Sequence, residues 1–119
     1  MLVTLPENPA VAFGTPSNTL PKDELAAVTK AAASVPEVAE AHLISFREMH
    51  VMESSTLALV LITRAGSAAH EVARRVHTTM LELAPDLEWV AVIGVPVDHR
   101  FVGPIRCAHR QLVFDYGRN

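Results

Sequence analysis

Cysteine is almost missing from this chain. Cys107 is the only one among 119 residues, so no disulfide can form within the chain and an apolar core has to hold the fold, as in a reducing compartment; the cytoplasm is the expected location. Aromatics make up 5% of the sequence, and no basic segment interleaved with aromatics offers a platform for nucleic-acid bases. Glycine is scarce as well, five residues in all, and none falls in a phosphate-cradling pattern. Surplus positive charge is absent: ten Lys and Arg against thirteen Asp and Glu leave a formal charge of −3, which gives no pull toward DNA, RNA or an anionic membrane. No apolar run is long. Leu57–Ile62 and Val90–Val95 are the most continuous, far short of the roughly 18 residues that a membrane-crossing helix needs. Met1–Glu7 carries neither the basic region nor the apolar stretch of an export signal, so no secretion is expected.

What the chain does have is 50% hydrophobic and 19% charged residues, the composition of a folded protein, at a length that predicts a single domain over residues 1–119. Ala10–Phe13 reads as a short strand, followed by the polar turn Gly14-Thr15-Pro16-Ser17-Asn18. From Pro21 to about Ser34, Leu25, Val28, Ala32 and Val35 recur at helical spacing, with Asp23 and Glu24 at the positive end and Pro36 as the stop. Val38–Arg47 and Thr56–Thr63 read as two strands of a hairpin, with an extension of the first to Met52 left open by the lack of Gly or Pro in Glu48–Ser55. Ala68–Ala84 predicts a second amphipathic helix, with Val72, Val76, Met80 and Leu83 on one face, Ser67 as N-cap and a Glu71–Arg75 pair on the other face. Glu88–Val95 alternates as a buried strand, placing Trp89 beside Ala91, Ile93 and Val95. The tail after Gly103-Pro104 fits a helix with Ile105, Ala108, Leu112, Val113 and Tyr116 on one side, or a strand aligning Ile105, Cys107, His109 and Gln111; the helical template matches more apolar residues over 104–116.

This element order predicts a two-layer α+β, ferredoxin-like βαββαβ fold with an extra C-terminal helix. In the strand Thr56–Thr63, Leu57, Leu59 and Leu61 point one way and Ala58, Val60 and Ile62 the other. Both faces are apolar, and the second needs a cover, either a partner subunit or the terminal helix.

The residues that carry a family likeness are Val11-Ala12-Phe13-Gly14-Thr15-Pro16 before the first helix and Pro36-Glu37-Val38-Ala39-Glu40-Ala41-His42-Leu43 at the helix-to-strand passage. To these are added the aliphatic strand Thr56–Thr63, the helix end Leu83-Ala84-Pro85 and the run Ile93-Gly94-Val95-Pro96-Val97-Asp98. Over roughly residues 10–116 the chain resembles the C-terminal domain of the SseB family, the enhanced serine sensitivity proteins, which are cytoplasmic bacterial proteins. Where that family closes on Pro-Phe-Tyr, this chain has Val113-Phe114-Asp115-Tyr116. The resemblance implies a link to serine tolerance and carries over no reaction, cofactor or catalytic residue.

Chemistry-bearing patterns are weak. His70-Glu71-Val72-Ala73-Arg74 approaches a zinc-peptidase helix motif, but Arg74 stands where the second histidine would be, and a guanidinium offers no lone pair. Seven residues of helix separate His70 from His77, too far for one metal. Cys107 and His109, with His99 nearby, diverge on a helix and make a poor thiol–imidazole pair. Four arginines against Asp98 and Asp115 leave residues 98–119 at +2, and Arg106 with Arg110 could hold an oxyanion or an acidic partner. Met49, Val51 and Met52 place flexible or apolar side chains at a hairpin tip, suited to adaptable protein contact, and Phe46 shares a strand face with His42 and Ile44. The reading that follows is a non-enzymatic interaction or self-association module, a homodimer or a binder of another protein. Its contact residues would be Phe46, Met49, Val51, Met52, Leu57, Leu59, Leu61, Arg106 and Arg110, with no cofactor or metal. An amino-acid sensor lined by residues 14–18 is the alternative, and a cofactor-free dimeric enzyme using His42, His50 or His99 as base is a third.

Overall fold

A computed structural model describes residues 1–6, 10–16, 20–49 and 51–108, together with the strand backbone of 112–115. The strands are β1 (Leu2–Val3), β2 (Val11–Gly14), β3 (Val38–Glu48), β4 (Thr56–Thr63), β5 (Ala91–Pro96) and β6 (Leu112–Asp115). The helices are α1 (Lys22–Ala33), α2 (Ala69–Leu83) and α3 (Val102–Ala108), with a 3-10 helix at Pro85–Trp89 between α2 and β5. The class is α+β.

Local chemistry accounts for most boundaries. Pro21 precedes α1, and at its far end Ser34 Oγ donates to the Ala31 carbonyl before Pro36 prevents continuation. The loop into α2 turns at Gly66, whose φ of +84° suits a residue without a Cβ. Ser67 takes part in that turn, its N–H donating to Arg64, so Ala68 and not Ser67 stands at the N-cap. The expected Glu71–Arg75 pair is also replaced: Glu71 binds Arg74, while Arg75 reaches Glu37 at the start of β3. Pro85 with Asp86 begins the 3-10 helix, which takes Glu88 and Trp89 out of the strand that alternation predicted.

The sheet is six-stranded, in the order β1-β5-β4-β3-β2, with β6 also on β3. Strand β3 pairs with β4 over Val38–Phe46, and its other edge is shared end to end by β2, opposite Ser45–Glu48, and β6, opposite Glu40–His42. This corrects the ferredoxin-like expectation. In a split arrangement a strand would separate β4 from β5, whereas here the two pair directly and in parallel across α2, and β2 and β3 pair antiparallel across α1. The tail is corrected as well. The described helix is Val102–Ala108, and Leu112–Asp115 is a strand, which supplies partners for the backbone of Glu40–His42 that a helix through those residues would leave without one.

The two-layer expectation gives way to a sheet covered on both faces. On one side Ala41, Leu43, Leu59, Leu61 and Val92 are buried against Val28, Ala31 and Ala32 of α1 and Val72, Val76 and Met80 of α2. Gly94 lets the first turn of α2 lie close, since a Cβ there would come 2.1 Å from the Ala69 carbonyl oxygen. On the other side Ile44, Phe46, Ala58, Val60, Ile62, Ile93 and Val95 are buried with Phe101, Val102 and Ile105, and Leu5, Phe13 and Met52 pack on the margin. Between the two expected covers, partner or terminal helix, the chain uses its own helix.

Candidate functional site

Parallel pairing places the beginnings of β4 and β5 at the same end of the sheet, Ala58 opposite Ala91. The turn from β3 into β4 lies there, and α2 and the 3-10 helix return the chain to it. The Met1 amine donates to the Glu88 and Val90 carbonyls at 2.5 and 2.6 Å. The large hydrophobic side chains that stay exposed among the described residues are Met1, Val51, Leu83 and Trp89, and all four belong to this end. Trp89, the sole tryptophan, is 54% exposed and Val51 68%. Glu53, Glu82, Asp86 and Glu88 are exposed around them. Glu88 lies 3.1 Å from His77 Nε2. Arg47 is turned to the Met52 carbonyl, 3.1 Å from its Nε.

A second cluster lies under α3. His42 Nε2 donates to Glu40 Oε1 at 2.9 Å, and Arg106 of α3 grips the same carboxylate, its Nε at 3.1 and 3.2 Å from the two oxygens and its Nη2 on Oε2. Burial raises the Glu40 pKa, but the hydrogen bonds and charge of Arg106 and His42 outweigh it and hold the carboxyl below its ordinary value. With Glu40 4% exposed and His42 1%, the pair is sealed from substrate and works as a tether between α3 and the sheet.

A shallow groove of about 450 Å³ runs between the end of α1 and α2, lined by Ser34, Val35, Arg74, Arg75, Thr78 and Thr79. Its guanidinium groups are engaged by Glu71 and Glu37, whose carboxyls those bonds hold below their ordinary range. Its three hydroxyls donate to the Ala31, Arg74 and Arg75 carbonyls. The groove has little left to bind an anion.

The sequence-predicted contact residues are scattered by the fold. Leu59 and Leu61 are fully buried beneath α1 and α2, and Phe46 is buried on the α3 side, ring to ring with Phe13 at 5.9 Å. These three are core residues and not an outer surface, because the chain covers both sheet faces itself. Leu57 packs at the margin of the α1–α2 core. Met52 folds back onto the α3 side, its sulfur accepting the Glu48 N–H at 3.3 Å. Met49 is half-buried, with its N–H on the Ala10 carbonyl at 2.8 Å. Val51 alone projects well into solvent. Arg106 serves Glu40, and Arg110 lies outside the described residues.

Among the enzyme candidates, His99 accepts the Phe101 N–H through Nδ1 at 3.1 Å and packs on the Phe101 ring, while His50 and His109 lie outside the described residues. Cys107 is exposed. Of the loop offered to a small ligand, Gly14, Thr15 and Pro16 are described and Ser17 and Asn18 are not. No group of three metal-ligating side chains occurs among the described residues, and no described helix is long and apolar enough to cross a membrane.

Sequence reasoning missed Leu83 and Trp89. The signal was Pro85-Asp86 followed by Glu88, acidic residues in the first turn of a proline-led helix, which argues against a strand at Trp89. Comparison with family models, curated proteins and solved structures finds no match to this chain.

Proposed function

We propose that this chain is a non-enzymatic protein-interaction module that meets its partner with the end of the sheet where β4 and β5 begin. One observation carries the reading: the large hydrophobic side chains left in solvent, led by Trp89, gather at that end while both sheet faces are closed. Tryptophan is the residue type most enriched among the anchors of protein interfaces, and a cluster of exposed apolar groups is otherwise a solubility burden. The proposal keeps the class expected from the sequence and relocates the contact from the sheet face to its end. A cytoplasmic location and an SseB-like role tied to serine tolerance belong to the same proposal.

Photo-crosslinking inside cells tests it. A photoreactive residue at position 51 or 83 is expected to give a discrete adduct that Trp89→Ser abolishes, while the same residue at exposed position 65, in the loop at the opposite end, gives none. Equal labelling at all three positions, or no adduct at any, overturns the reading.

A further inference from the structure

Resting on that reading, we propose that the partner is a protein segment carrying Lys or Arg beside an apolar face, and not a second copy of this chain. The β3–β4 turn and the residues leading into β5 lie at the same end of the sheet, where Val51 and Trp89 both reach solvent, and one docking area spanning that end would take in both.

Apart from Asp98, which is in no ion pair with a described cation, the carboxylates of the two ends are in different states. At the far end Glu37 is bound by Arg75, Glu71 by Arg74, and Glu40 by Arg106. Around Trp89, no described cation lies within 4 Å of Glu53, Glu82 or Asp86. Among the described cations, Glu88 has His77 and the Met1 amine close by. The apolar centre is thus rimmed by carboxylates that can still pair.

This arrangement discriminates among occupants. Two copies meeting by this end would set Glu53, Glu82, Asp86 and Glu88 against the same four, and like charges across an interface are penalised. Head-to-tail contact brings Arg74 and Arg75, committed to Glu71 and Glu37, Arg64, whose Nε donates to the Pro36 carbonyl, and Arg100, held over the Phe101 ring, so every described arginine it offers is already engaged. An anionic lipid surface is repelled by the same rim. A chain with basic groups flanking aliphatic or aromatic ones satisfies both features at once.

Trp89 supplies the readout, because it is the sole tryptophan and its emission shifts to the blue when water leaves the ring. The full chain is titrated with a synthetic amphipathic Lys/Leu peptide and with the same peptide carrying Glu for Lys. The Lys peptide is expected to give a saturable blue shift and the Glu peptide none. Converting Glu53 and Asp86 to Lys should weaken the Lys peptide by about tenfold or more, while converting Glu71 and Asp98, at the opposite end, changes net charge equally and leaves affinity within about twofold. Equal response to both peptides, no response to the Lys peptide, or equal weakening by both double variants overturns the proposal. Crosslinking adducts at positions 51 and 83 that persist in the face of such a result would refute the basic partner alone, whereas their absence refutes the interaction reading itself.

Discussion

The two faces of the sheet are alike in composition and unlike in cover. One is closed by α1 and α2, twelve and fifteen residues long, each presenting a continuous apolar stripe. The other is closed by pieces: Phe101 from a turn, Val102 and Ile105 from a seven-residue helix, and Leu5, Phe13 and Met52 from three further segments. A long helix aligns many side chains for one ordering event, while separate pieces must each be ordered on their own. Apolar residues on both sides of a strand therefore do not imply a partner subunit; a short helix with a few loop side chains is cover enough.

Charge placed under each cover should break this comparison most sharply. Leu59→Glu puts a carboxylate beneath α1 and α2 at a cost of roughly 5 kcal/mol or more, comparable with the whole stability of a domain, and is expected to abolish cooperative unfolding in urea. Ile105→Glu is the counterpart under α3. It is expected to release α3 locally, so that hydrogen exchange speeds up in Val102–Ala108 and in β4 while α1 and α2 keep their protection. Global unfolding by both variants would show that the pieced cover is as cooperative as the helical one.

The buried ionisable groups Glu40 and His42 both sit on the pieced face, which gives it a pH dependence rooted in its core. Glu40 is held below its ordinary pKa in the folded chain. The unfolded state then binds the proton more readily, so the carboxylate contributes stability above the ordinary carboxylate range and loses it as pH falls through the depressed folded value. Glu37 and Glu71 are shifted the same way and act on the same limb. Urea midpoints across the acid range should show Glu40→Gln less stable than the parent at neutral pH, with a shallower decline on acidification and convergence at the acid extreme. Parallel curves would mean that the Arg106 tether contributes nothing to folding.

Legibility in the sequence follows the same division. Helices α1 and α2 show helical spacing of apolar residues and strands β3 and β4 are apolar runs of eight or more residues, and their positions were readable to within a residue or two. The pieces were not. Leu2–Val3 is too short to show a period, and β6 is a strand because β3 has backbone groups to satisfy, a tertiary demand invisible in Leu112–Asp115 itself. The direct pairing of β4 with β5 also leaves no local mark, since α2 would read the same across a split pair. Leu59 and Leu61 were read as contact residues from correct facing and an unknown cover, and Trp89 was hidden by an alternation that the Pro85 turn interrupts.

The smallest effects belong to the hairpin tip, where two neighbours end on opposite sides of the line between core and solvent. Met52 packs at the margin of the pieced face and its sulfur takes the Glu48 N–H, whereas Val51 touches little of its own chain. Met52→Ser should therefore destabilise by about 1–2 kcal/mol in urea, from lost apolar burial. Val51→Ser should stay within about 0.5 kcal/mol of the parent, as surface changes do, and should lower crosslinking yield at position 83. A stability loss at Val51 matching that at Met52 would place both side chains in the core of a single chain, leaving the tip without a surface to offer.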